Sequence, residues 1–263
     1  MATEKRNGGI LLAARAGHYR EYAPPPALRR HFSRLCLHSL HDGPPATVAI
    51  VPDGYCDLLW IGGRLVVAGP DRTAAFPLIR PGTTVIGARF APGAAAPWLK
   101  TPLSALVGCS VRLSDIGWKD TADFEARLQD FPEAADAMAL FVRLLEEAAR
   151  EEEEPAADAA VIFAAADSGC PSPSLRHRLD ISERQLRRRC HQHFGYGAKT
   201  LERIRRFQRF LDLCRRSHAM PLAQLALEAG FADQAHMTRE VGELSCLTPA
   251  VILDQLNARE MPD

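Results

Sequence analysis

The 263-residue sequence has no Cys-x-x-Cys pair. Its seven cysteines, at 36, 56, 109, 170, 190, 214 and 246, are odd in number and scattered. That fits a reducing compartment better than a disulfide framework. No apolar run approaches the ~20 residues a spanning helix requires. The early run GGILLAARAG is broken by Arg15 too soon for a secretory signal. A cytoplasmic protein with no membrane partner is the expectation. The chain also lacks a Gly-rich phosphate loop, a nucleophile elbow and a zinc-spaced cluster. No catalytic residue, cofactor or metal site is therefore expected, and the chain does not read as an enzyme.

Net charge is absent as well, since 32 basic residues face 32 acidic ones. The neutrality is a cancellation between segments. Residues 172–216 hold 13 Lys and Arg against Asp180, Glu183, Glu202 and Asp212, a net of +9, whereas residues 217–263 sum to −5 and residues 1–157 to −2. Positive charge gathered on one periodic helical segment is the footprint of a surface that meets phosphate.

The first 154 residues supply short apolar stretches bounded by Pro, Gly and Asp: RLCLHSLH, TVAIVP, CDLLWIGG, RLVVAGP, FPLI and TTVIGARF. About six such strands in seventy residues predict an antiparallel sheet closed into a barrel or sandwich. Short helices are predicted in PPPALRRHF, PWLKTPLSALVG and DTADFEARLQDFPEA. A longer one follows, with Met138, Phe141, Val142 and Leu145 at helical spacing. His31, Cys36, His38 and His41 lie close in sequence, but on a strand His38 and His41 point to opposite faces, which argues against a shared metal. Asp53 and Asp57 in PDGYCD read as a turn or as a paired-carboxylate site, the turn being favoured by Pro-Asp-Gly. An apolar barrel interior would suit a small-molecule ligand.

From residue 155 the pattern is helical throughout, and it repeats. SLRHRL is followed by a helix opened by Ser182 with Gln185 three residues on, a capping-box pattern. Leu186, Cys190 and Phe194 mark the buried face of that helix, and Gly195-Tyr196-Gly197 stops it. A long helix over 198–216 presents Ile204, Phe207, Leu211 and Cys214 on one side. PLAQLALEAGF and DQAHMTREVGEL then restate the first pair, with Met237, Val241 and Leu244 buried. Two helix-turn-helix units about fifty residues apart, joined by a linker helix, are the simplest description. In each unit the second helix is the one placed to read a major groove. On the first, Arg184, Arg187, Arg188 and His191 share a face, suited to guanine edges and phosphates. The matching face of the second holds Gln234, Ala235, Thr238 and Arg239, with Gly242 beyond them and acids around them. The first unit is therefore predicted to dominate binding.

The carriers ISERQLRRRCHQHFG, LERIRRFQRFLDL and LAQLALEAGFADQAHMTREVGELSCLTP resemble the DNA-binding domain of AraC/XylS-type transcriptional regulators over about 158–256. The resemblance implies seven helices and two recognition helices on successive major-groove segments. Its candidate base contacts are Arg184, Arg187 and Arg188, then Gln234, Ala235, Thr238 and Arg239. The sequence departs from the family pattern at Cys246, where Gly usually precedes Leu-Thr-Pro, at Gly242, where a basic residue is common, and at Gly197-Ala198 in place of Ser-Pro. YREYAPPPALRRHF, VPDGYCDLLW, VVAGP and GARFAPGAAAPWL are similar to divergent sensor domains of the family, which implies a cupin-like barrel with GARFAPGAA as its closing strand and turn.

The expected architecture is thus α+β. An N-terminal antiparallel, cupin-like β-barrel with flanking helices (1–154) senses a ligand, dimerises, or both. An all-α tandem helix-turn-helix domain (155–263) binds double-stranded promoter DNA. The expected partners are DNA, a small-molecule effector, a second copy of the chain, and RNA polymerase for an activator. The alternatives are a regulator whose front half only dimerises, and a barrel enzyme with accessory helices.

Overall fold

The computed structural model describes residues 10–40, 47–131, 133–216 and 220–258, so His41 lies outside the described residues. Among the described residues the first half has eight strands: β1 (Ile10–Leu12), β2 (Gly17–Tyr22), β3 (Phe32–Leu40), β4 (Thr47–Ala49), β5 (Asp57–Ile61), β6 (Arg64–Ala68), β7 (Thr84–Phe90) and β8 (Ser110–Arg112). Six form an antiparallel sheet in the order β2-β3-β7-β5-β6-β8, and β1 pairs in parallel with β4. The β5–β6 hairpin turns on Gly62 and Gly63, both at positive φ (58° and 75°). Such a two-residue turn needs that conformation to match the strand twist.

Strand alternation sorts the two faces of this sheet. Leu35, Leu58, Trp60, Leu65, Val67, Ile86 and Ala88 point to one side and are buried. There they pack with α1 (Ala95–Trp98), α2 (Thr121–Gln129) and α3 (Ala134–Ala149), whose Phe124, Leu128, Leu140, Phe141, Leu144 and Leu145 complete the first hydrophobic core. Asp57, Leu59, Ile61, Val85 and Arg89 point to the other side, where Cys36, His38, Tyr19 and Glu21 join them.

The second half contains α4 (Ala157–Asp167), α5 (Ser172–Leu179), α6 (Glu183–Phe194), α7 (Ala198–Arg216), α8 (Leu222–Ala229), α9 (Gln234–Ser245) and α10 (Pro249–Asn257). These are the seven helices expected. Leu201, Ile204, Phe207, Phe210, Leu211 and Cys214 bury one side of α7, which forms the spine of a second core. Residues from the first half enter that core. Leu12 is buried in it, and Gln255 of α10 accepts a hydrogen bond from the Leu12 amide and donates one to the Ile10 carbonyl, both at 2.8 Å.

The antiparallel sheet followed by a helical domain is as expected, but the sheet does not close into a barrel. GARF belongs to β7, which lies between β3 and β5 in the middle of the sheet, not at a closing edge. FPLI forms no strand, and Leu78 within it is fully exposed. The physical reason is that helices α7 and α10 cover the face that a second half-barrel would otherwise cover. Gln208, Leu211, Arg215 and Leu256 stand opposite the sheet across a cavity of about 310 Å³.

Candidate nucleic-acid interface

Helix α6 begins as its sequence predicts. The Ser182 side chain accepts from the Gln185 amide (3.3 Å), and the Gln185 side chain accepts from the Ser182 amide (2.8 Å). This reciprocal cap satisfies two donors that the first helical turn leaves open. Asp180, left-handed at φ 49°, turns the chain from α5 into it, and Gly195 at φ 82° ends it. Leu186, Cys190 and Phe194 are buried, which fixes the rotation of the helix about its axis. Arg184, Arg187 and Arg188 are thereby exposed on one face, with His191 half-buried beside them. None of the three arginines has a carboxylate within 4 Å among the described residues. Arg189 points elsewhere and pairs with Asp158 of α4 at 2.5 Å.

Four arginines of the linker helix spend their charge inside the protein. Arg203 contacts Glu240 at 2.9 Å and Glu243 at 2.6 Å, and Arg206 contacts Glu240 at 2.7 Å. Arg205 pairs with Asp167 at 2.7 Å and packs its guanidinium over Phe163. Arg209 donates to the carbonyls of Ala166, Asp167 and Ala229. The acids around α9 therefore hold the second recognition helix onto the linker. Burial alone would push the Glu240 carboxyl upward, but the hydrogen bonds from Arg206 and Arg203 win and hold it below its ordinary range.

Helix α9 is capped by Asp233, which accepts from the His236 amide at 2.7 Å. Gln234, Ala235, Thr238 and Arg239 are exposed on it, so the structure brings the second set of candidates onto one face as well. The Thr238 hydroxyl donates to the Gln234 carbonyl at 2.8 Å and so is used within its own turn. Cys246 ends the helix at φ 60°, the left-handed conformation that the more usual glycine adopts without strain. Nothing stands within 4 Å of the position a Cβ on Gly242 would take.

Two features were not anticipated from sequence. Asp53 and Asp57 both hold Arg89, at 2.6 and 3.0 Å, behind the cavity between sheet and helices. Asp53 also makes the expected turn, since its carboxylate accepts from the Tyr55 amide at 3.0 Å with Gly54 at φ 88°. Burial raises the Asp57 carboxyl above its usual range against the pull of Arg89. The second feature is the segment Lys100–Ser104, which stands across a cleft of about 800 Å³ from Arg184, Arg187, Arg188 and His191. Its 3₁₀ turn packs on the end of α6, where a Cβ on Gly195 would come 2.5 Å from Val107 Cγ2. His31 is buried against Trp98, whereas His38 and Cys36 line the cavity, so His31 stands apart from those two. Among the described residues no three His, Cys, Asp or Glu side chains group as metal ligands, and no helix is long and apolar enough to cross a membrane.

Comparison with known families agrees with this geometry. A helix-turn-helix domain model matches residues 175–255. Residues 175–255 are an AraC-type helix-turn-helix domain. Ahead of this AraC-type domain, residues 20–112 match a domain of unknown function, DUF6597. No curated protein sequence matches the chain. Similar solved structures include ToxT from Vibrio cholerae, 10% identical over 92% of this chain and 98% of that one, with a TM-score of 0.46. Another is wild-type ToxT from Vibrio cholerae with bound unsaturated fatty acid, 12% identical over 91% and 95% of the two chains, with a TM-score of 0.43.

Proposed function

We propose that this protein is a sequence-specific, DNA-binding transcriptional regulator that reads promoter DNA chiefly through α6. The supporting observation is the contrast in charge pairing: Arg184, Arg187 and Arg188 share an exposed face without ion pairs, while Arg203, Arg205, Arg206 and Arg209 are engaged within the fold. Free guanidiniums on a recognition helix suit bidentate contact with guanine edges and pairing with phosphates. Gln234, Ala235, Thr238 and Arg239 form the second, weaker reading face. The working division is 1–154 for sensing and 155–263 for DNA, with β1 crossing between them. Selection of duplexes from a random pool by the full-length protein tests this reading. The expected result is one enriched motif, relaxed at one base pair in Arg188→Ala; a pool that stays random overturns it.

The cavity between sheet and helices supports a ligand-responsive regulator over one whose front half only dimerises. Its volume of about 310 Å³ stands at the lower end of small-molecule sites. Leu12, Ile50, Leu59, Ile61, Val85 and Leu211 supply apolar walls, and the charged groups there are already paired, Arg89 with Asp53 and Asp57 and Arg34 with Glu21. The effector that fits is a compact, uncharged and largely apolar molecule. Leu59→Trp, which fills the space, is expected to abolish any effector-dependent change in DNA affinity. An unchanged response in that variant favours the dimerisation-only reading.

A further inference from the structure

We propose that the sheet-bearing half contributes to the DNA interface directly. The cleft between α6 and the segment Lys100–Ser104 accepts the sugar-phosphate backbone of the strand that borders the groove read by α6. This rests on the DNA-reading role of α6 and adds a partner surface from the other half of the chain.

Four observations converge. The cleft of about 800 Å³ is lined on one side by Lys100, Thr101 and Ser104 and on the other by Arg184, Arg187, Arg188, His191 and Gln192, with no carboxylate among its walls. Its donors are available. The three arginines and Lys100 have no ion pair within 4 Å, and the Thr101 and Ser104 hydroxyls make no hydrogen bond among the described residues. On its other side Lys100 faces a pocket that also holds Glu151 and Glu152, and the burial of Glu152 raises its carboxyl more than Lys100 lowers it.

Lys100 also sits at φ 49°, a left-handed backbone that a non-glycine residue adopts at a cost. The conformation is held by hydrogen bonds that the Lys100 N–H donates to the Pro97 carbonyl and the Thr101 N–H to the Ala96 carbonyl, both at 3.1 Å. It turns the chain at the rim of the cleft. Finally, the two walls are registered on each other, because Leu103 and Val107 pack against Gly195 at the end of α6. The cleft is more open than enclosed, which suits a continuous strand better than an enclosed small anion.

A phosphate contact supplies affinity without sequence preference, and each phosphate neutralised adds ~0.9 to the slope of log Kobs against log salt. Full-length protein is titrated with its selected duplex and with a scrambled duplex across a salt series. Lys100→Asn is the main variant, since asparagine tolerates the left-handed backbone; the Thr101→Ala, Ser104→Ala double variant is the second. The expected result for Lys100→Asn is a slope flatter by about 1 and an equal, several-fold loss of affinity on both duplexes. The double variant should weaken both duplexes alike by a smaller factor. Unchanged slope and affinity in Lys100→Asn, or tighter binding, overturns the proposal even where Arg188→Ala relaxes the selected motif. If wild-type protein shows no salt-dependent binding to duplex DNA, the reading of α6 falls as well.

Discussion

Arg205 of the linker helix donates to the Asp53 carbonyl at 2.9 Å, and the carboxylate of the same Asp53 lies 2.6 Å from Arg89. One residue thus joins the helix between the two DNA-reading units to the charged cluster behind the cavity. Gln208 adds a second tie, donating to the Pro52 carbonyl at 2.7 Å. Tyr55 fills the space between the guanidiniums, with Arg89 4.8 Å and Arg205 5.7 Å from its ring centre. Any change in the cavity that moves Asp53 has a short path to α7.

Arg205→Met should therefore uncouple the halves while keeping the packing on Phe163. The lost bonds to Asp53 and Asp167 are charge-assisted, for which about 1.5–3 kcal/mol is typical. The half-exposed Asp167 places the expected loss near the bottom of that range. Chemical denaturation measures it, and a loss of effector response without loss of basal DNA binding is the accompanying result. A variant as stable and as responsive as wild type would show the tie to be idle.

Glu240 gives a second prediction. Its carboxylate receives both Arg203 and Arg206, and its side chain is only 13% exposed. Removing it in Glu240→Ala leaves the partly buried Arg206 without its carboxylate and Arg203 with Glu243 alone. Breaking a well-buried pair costs about 3–5 kcal/mol; with Arg203 31% exposed, about 1–3 kcal/mol is expected here. That corresponds to a fall of several degrees in Tm for a protein of this size. Glu240→Gln, which keeps an acceptor, should lose less. Equal melting temperatures for the three proteins would rule out the clamp.

The repeat, the helix limits of 183–194 and 198–216 and the capping box at Ser182 were legible in the sequence because each rests on local chemistry: helical spacing, a capping pair, a terminal glycine. The exposed row Arg184, Arg187 and Arg188 was legible for the same reason. What was not legible depends on contacts distant in sequence. The acids of α9 read as a surface hostile to DNA, whereas 34–40 residues of separation hide that Glu240 and Glu243 belong to Arg203 and Arg206. Barrel closure was inferred from strand count, but the number of strands does not say what covers the second face. Strands β1 and β8, three residues each, are too short to show a period. The Lys100 segment carries no motif at all, and only the packing of Leu103 and Val107 on α6 places it.

Acidification supplies a third prediction. His31 is 1% exposed, its ring is 4.9 Å from Trp98, and its Nε2 has no hydrogen-bond partner among the described residues. Burial lowers its pKa, Arg30 lowers it further, and Glu154 opposes both. With the folded value below the ordinary value of about 6.5, the unfolded chain takes up the proton more readily. The contribution to stability is complete above that ordinary value and is lost as the pH falls through the lower folded one. His193, buried at the junction of α6 with the first half, is shifted in the same direction by burial. Tm is expected to drop between pH 7.5 and 5.5, and His31→Leu should drop less. Parallel pH profiles for the two proteins would remove His31 from the account.

The fourth prediction concerns the two reading faces together. Arg188 is exposed and unpaired, so Arg188→Ala should cost about 1–3 kcal/mol of specific binding and relax preference at one base pair. Arg239 is exposed too, but it stands alone on a face where Thr238 turns its hydroxyl inward. Arg239→Ala should accordingly cost less, and the reverse order in a gel-shift comparison would sink the asymmetry between the units. Gly242→Arg tests the same idea by gain. No neighbouring group stands within 4 Å of the position its Cβ would take, so a side chain can start there without a clash. Replacing a mid-helix glycine should stabilise α9 by up to ~1 kcal/mol. An added guanidinium on that face should tighten DNA binding and steepen its salt dependence by about one phosphate equivalent. A more stable variant with unchanged affinity would mean that α9 does not approach the DNA.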